Sequence, residues 1–168
     1  MWASGLRGAV GLGVLVSIAA AVSPSSANER IKRGEYLATI MDCGGCHTPG
    51  VFLGKPDHTR ALAGSEVGFE IPGLGIFYPP NLTPDPETGL GKWSEAEIVK
   101  AVRTGERPDG RVLAPAMPYP HYGKLTDKDA FALAAYLKSL EPVRNAVPPI
   151  VGPGEKPTAP YLTVVMPQ

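Results

Sequence analysis

The chain has 168 residues, 43% of them hydrophobic and 19% charged, and its 16 Lys+Arg balance 16 Asp+Glu. That length suits one domain around one core, and the apolar fraction excludes a disordered chain. No basic block points to nucleic acid and no acidic tail to a solvating segment. With 20 Gly and 19 Pro, long ordered loops between few regular elements are expected.

Arg7 is the only charge before Glu29, and a Gly/Ala/Val/Leu-rich run from Gly8 to Val22 follows it. Ser25 and Ala27 then place small residues where a signal peptidase inspects the chain. Residues 1–27 read as a secretory signal peptide cut near Ala27. The alternative is an uncleaved membrane anchor, but the run is short of the ~20 residues a span needs. Cleavage leaves an exported chain with no stable membrane span.

The first mature helix is predicted from about Asn28 to Asp42, with Asn28 as N-cap and Glu29 in the first turn. Ile31, Tyr36, Leu37 and Ile40 form its apolar face. At its end stands Cys43-Gly44-Gly45-Cys46-His47. From His47 to Trp93 the pattern is broken repeatedly by Gly and Pro, with one short hairpin between Gly64 and Phe77, where Val67, Phe69, Ile71 and Ile76 alternate. A second helix follows Ser94, where Ser94 and Glu97 make a capping box, and it ends at Gly105. A third begins after Thr126, buries Phe131, Leu133, Ala134, Leu137 and Leu140, and stops at Pro142. The remainder holds Pro148, Pro149, Pro153, Pro157, Pro160 and Pro167. It reads as an extended arm, residues 144–168, that either wraps the domain or hangs free. The domain itself is 28–143, all-α, with three to four helices and long loops around a prosthetic group.

C-x-x-C-H is the attachment signature of a c-type haem. Both sulfurs bond the macrocycle's vinyl groups, and the histidine that follows meets the iron from one short stretch of backbone. Cys43 and Cys46 are the only cysteines. A disulfide framework would use more. A thioredoxin-like pair needs a βαβ setting, and a zinc site needs further ligands. One covalent haem c per chain is therefore expected, held by Cys43 and Cys46 with His47 on the iron.

Candidates for the iron's other axial position are Met41, Met117, Met166, His58 and His121. Met41 lies beside the attachment loop and reaches the opposite face poorly, and Met166 lies in the arm. Met117 sits in Leu113-Ala114-Pro115-Ala116-Met117-Pro118-Tyr119-Pro120, where prolines stiffen an extended loop. Met117 is the expected ligand and His121 its rival. His/Met ligation raises the reduction potential and leaves the iron no open position, which suits an electron carrier better than a haem enzyme.

From Glu29 to about Val143 the chain resembles the class I cytochrome c family. The motifs are Cys43–His47 after a helix carrying Gly34 and Tyr36, Met117 before a final helix, and Ala135-Tyr136-Leu137-Lys138 within that helix. The resemblance implies that the final helix packs its aromatic on Gly34. It also implies that the carbonyl of Pro80, in Pro80-Asn81-Leu82, accepts a hydrogen bond from His47. Trp93 reads two ways, as an indole donor to a haem propionate or as the apolar residue before the capping box. The runs Asn81–Asp85, Gly89–Ser94 and Pro115–Tyr119 are similar to cytochrome c subunits and domains serving periplasmic alcohol, aldehyde or gluconate dehydrogenases. Many of those carry three haems, and this chain has one motif.

The resemblance implies a periplasmic single-electron carrier, not itself an enzyme, between a dehydrogenase donor and the respiratory chain, with an oxidase or another cytochrome as acceptor. The alternatives are a haem enzyme or ligand sensor with an open distal face, and a permanent subunit of a dehydrogenase complex.

Overall fold

A computed structural model describes Met1 and residues 24–167. Most of the expected signal peptide lies outside the described residues. Helix α1 spans Pro24–Ile40, starting ahead of the expected Asn28. A proline is tolerated there because the first helical N–H groups have no intrahelical partner. The helix stops when Asp42 turns left-handed, at φ 55 and ψ 40.

The attachment motif is itself a short helix, α2, Cys43–His47. Strands β1, Gly68–Ile71, and β2, Gly75–Phe77, form the antiparallel hairpin, with Phe69 opposite Phe77. Helix α3 is Glu95–Thr104, α4 is Tyr119–Tyr122 and α5 is Asp127–Ser139. A two-residue strand β3, Tyr161–Leu162, pairs parallel to β1 and gives the sheet order β2-β1-β3. The all-α expectation thus describes the helical frame, to which a small mixed sheet is added. β3 is too short to show periodicity, and its partner lies far away in sequence.

α3 has both halves of its capping box: Glu97 N–H donates to Ser94 Oγ, and Ser94 N–H to the Glu97 carboxylate at 2.7 Å. Gly105, at φ 78, closes its C-terminus. Thr126 caps α5 by accepting from Asp129 N–H at 3.1 Å.

α1 crosses α5 at Gly34, where a Cβ would lie 2.6 Å from Tyr136 Cβ and 2.7 Å from the Ala132 carbonyl carbon. This crossing buries Leu37, Leu133, Ala134 and Leu137 as expected and corrects the rest of both faces. On α1 the buried residues are Gly34, Leu37 and Ala38, while Tyr36 and Ile40 are exposed. On α5 Ala130, Ala132, Leu133, Ala134, Ala135 and Leu137 are buried, and Phe131 turns outward. Close approach through glycine and alanine leaves no room for Tyr36, Ile40 or Phe131 between the helices. Arg33 Nε to Asp129 at 2.8 Å, and Arg30 to Glu95 and to the Phe131 carbonyl, brace the rim.

The arm wraps the domain. Just ahead of it, Val143 exchanges hydrogen bonds with Thr83 and accepts from Asn81 Nδ2 at 2.7 Å. Asn145 Nδ2 donates to the Ala63 carbonyl at 2.8 Å. Val151 and Ile76 exchange N–H···O bonds of 2.8 and 3.0 Å. Among the described residues no helix is long and apolar enough to cross a membrane.

Candidate haem-attachment site

The site begins where α1 ends. The left-handed Asp42 swings its carboxylate over α2, so a Cβ at Gly45 would meet Asp42 Cγ at 2.5 Å. A side chain at Gly45 would push that carboxylate aside, whereas Gly44 meets only Thr48 Oγ1 at 3.6 Å. Cys43 is buried and Cys46 half-buried, and both thiols are free. Burial, with the nearby Asp42 charge, pushes Cys43 up to about 11 and Cys46 in the same direction. A C-x-x-C redox pair needs the opposite shift, a thiol held low.

His47 is buried, and its Nδ1 donates to the Pro80 carbonyl at 2.7 Å. A carbonyl only accepts, so Nδ1 carries the proton and Nε2 the lone pair. Burial lowers the imidazole pKa and keeps the ring neutral, against the smaller opposing effect of the Pro80 carbonyl. Pro80 is held from both sides. The Pro79 carbonyl accepts from Ser65 N–H, Leu82 N–H donates to Leu62, and Asn81 is buried in bonds to Thr83, Thr88 and Val143.

His47, Cys43 and Cys46 line one cavity of about 690 Å³, within the range of cofactor sites. Leu82, Leu90, Trp93, Ile98, Leu133 and Leu137 form its apolar floor. Met117 lies on the same cavity, in a bend where its N–H donates to Ala114 and its carbonyl accepts from Tyr119. Met41 also lines it. His58 and His121 are exposed and absent from its walls, and Met166 is 77% exposed. Trp93 lines the cavity beneath Arg107, whose Cζ lies 5.0 Å from the ring centroid, while Ser94 and Glu97 complete the capping box beside it.

Four contributors were not anticipated. Arg107 and Arg111 border the cavity and share Asp109 at 3.3 and 3.8 Å. Tyr122 lines it from α4. Val147, Pro148, Pro149 and Ile150 of the arm supply a wall. The two arginines carry a faint signal in Arg107-Pro108-Asp109-Gly110-Arg111, a turn bearing two cations just before the stiff Met117 loop. The arm's valine and isoleucine carry none without the path of the chain.

Two free thiols, an imidazole lone pair, an apolar pocket and two cations at its border fit a planar iron macrocycle bearing two carboxylates. Fold and site together fit the class of small, mostly helical haem proteins. The cytochrome c family model matches residues 31–141, and the chain belongs to that family.

The chain is 40% identical over 152 residues to an alcohol dehydrogenase (quinone) cytochrome c subunit of Gluconobacter oxydans, covering 88% of this chain and 30% of that protein. It is 42% identical over 129 residues to a gluconate 2-dehydrogenase cytochrome c subunit of Pantoea cypripedii, covering 76% and 27%. It is 38% identical over 141 residues to a fructose dehydrogenase cytochrome subunit of Gluconobacter japonicus, covering 83% and 26%. The chain thus spans less than a third of the length of these relatives.

Proposed function

We propose that this chain is a periplasmic single-electron carrier with one haem c, thioether-linked to Cys43 and Cys46 and ligated by His47 and Met117. Haem iron supplies reversible one-electron chemistry. His47 is poised as a ligand because the Pro80 carbonyl accepts a hydrogen bond from its Nδ1–H, which orients the ring and leaves Nε2 free to bind iron. Met117 offers a soft, neutral thioether that favours ferrous iron. The apolar floor and the arm exclude water, and Arg107 and Arg111 offset the carboxylates. Trp93 shapes the pocket on the Arg107 side. The observation that carries this reading is the meeting of both cysteines, His47 and Met117 on one cavity.

The donor is a periplasmic dehydrogenase and the acceptor an oxidase or another cytochrome. Residues 1–27 serve as a cleaved export signal, residues 28–143 form the haem domain, and 144–168 are the arm. The chain is not itself the catalyst. A second reading, supported by the names of the relatives, makes it a permanent subunit of a dehydrogenase complex. Co-purification with a larger dehydrogenase subunit at high salt selects that reading.

The test of the carrier is its absorption spectrum, oxidised and reduced, with and without carbon monoxide. A low-spin reduced spectrum, a weak far-red methionine–iron band and no response to carbon monoxide are expected. A high-spin spectrum that shifts with carbon monoxide overturns the carrier and points to an open distal face, as in a haem enzyme or sensor.

A further inference from the structure

The segment bearing Met117 is held mostly by bonds to itself and to Gly105, the residue that caps α3. Leu113 N–H donates to Gly105, Met117 N–H to Ala114, Tyr122 N–H to Pro118, and Gly123 N–H to Tyr119. These bonds shape the segment without setting its distance from the attachment motif. One bond does: Tyr122 Oη–H donates to the Met41 carbonyl at 3.0 Å. Among the described residues it is the only hydrogen bond between residues 113–125 and residues 41–47.

Its acceptor is not interchangeable. Met41 closes the last turn of α1, donating to Leu37, and Asp42 then leaves the helix left-handed. The Met41 carbonyl is therefore one of the orphan acceptors of a helix C-terminus. It lies two residues before Cys43, on a residue that lines the same cavity as Met117 and Tyr122.

We infer that Tyr122 is a positioning residue for the second axial ligand: its bond to Met41 latches the Met117 segment to the attachment segment. The inference rests on the His47/Met117 reading above. Dissociation of the thioether with outward movement of the segment breaks the latch, so the latch lowers the fraction of molecules with Met117 off the iron. An external ligand that competes for that position reads the fraction directly, since its apparent affinity scales with the population that can bind it.

The test is imidazole binding to the oxidised holoprotein, followed by loss of the far-red band, in wild type, Tyr122→Phe and Thr126→Ala. Phenylalanine keeps the ring in the cavity wall and removes only the donor. Thr126→Ala removes a hydrogen bond of similar worth at the start of α5 and leaves the latch intact, so it reports loss of stability alone. Tyr122→Phe is expected to bind imidazole about fivefold more tightly, the equivalent of one net hydrogen bond, with Thr126→Ala matching wild type. Equal affinity in wild type and Tyr122→Phe overturns the inference, as does an equal shift in both variants. A wild-type protein with no far-red band fails earlier: it overturns Met117 ligation itself, and the latch with it.

Discussion

Gly34 and Ala132 meet backbone to backbone where α1 crosses α5. A methyl group at position 34 would lie 2.7 Å from the Ala132 carbonyl carbon, well inside van der Waals contact. In an open helix Gly→Ala gains about 1 kcal/mol. Here the helices must part or tilt, and overpacking of this kind costs about 1–3 kcal/mol. Gly34→Ala is therefore expected to destabilise, by up to about 2 kcal/mol net in urea unfolding. A gain in stability shows that the crossing yields without strain.

Lys138 makes a further long-range tie of α5. Its ammonium donates to the carbonyls of Gly91 and Trp93 at 2.9 Å and of Leu90 at 3.3 Å. Those three carbonyls precede α3 and carry Trp93 into the cavity wall. Lys138→Met keeps the aliphatic stem and removes the donor from the Gly91 and Trp93 carbonyls, while Leu90 keeps the Trp93 N–H, at a cost of about 2 kcal/mol. The same unfolding assay checks it. Because the Trp93 backbone loses one of its ties, its fluorescence in the folded state is expected to change as well.

What was legible in the sequence is what short range decides. The Ser94–Glu97 box and Gly105 bounded α3 because a cap is settled within one turn. Alternation placed the hairpin at Phe69 and Phe77. The spacing of Cys43, Cys46 and His47 pointed to the haem because the macrocycle demands it locally. Where tertiary packing decides, the reading failed. Of the buried stripe Gly34, Leu37 and Ala38, periodicity picked out Leu37 and the family resemblance Gly34, whereas Ala38 was passed over and Tyr36 and Ile40 were preferred for being large and apolar. The latch of Tyr122, the border of Arg107 and Arg111, and the wall of Val147–Ile150 depend on how distant segments meet. No periodicity encodes that.

Asp57 gives a pH-dependent contribution whose sign is set. Its carboxylate accepts from Thr59 Oγ1 at 2.6 Å, Arg60 Nε at 2.8 Å and Thr59 N–H at 3.0 Å, which hold it down at about 2. An unfolded aspartate titrates near ~3.9. The folded state thus favours the charged form, so the stabilisation is full above about pH 4 and lost as pH falls toward about 2. Asp85, Asp109 and Asp129 are held low in the same sense. Asp57→Asn is therefore expected to flatten the acid limb of stability against pH without abolishing it, and to leave that slope unchanged above about pH 5. Unfolding midpoints measured across this range check it. An unaltered acid limb means that the turn does not survive as a charge-holding unit in solution.

The ligand assignment separates two residues four apart in sequence but differently placed. Met117 borders the cavity that holds Cys43, Cys46 and His47, whereas His121 is exposed and absent from its walls. Met117→Ala removes a soft donor that favours ferrous iron. Its far-red band is expected to vanish and its reduced form to bind carbon monoxide. Its reduction potential falls, within the ~0.8 V over which axial ligands set haem potentials. His121→Ala is expected to change none of the three, since an exposed imidazole on α4 reaches the iron only if the segment turns over. The reverse pattern would transfer the ligand to His121 and require that turnover on haem binding. A second imidazole would also place the potential lower than a thioether does, so one redox titration of the unmodified protein distinguishes the two before any variant is made.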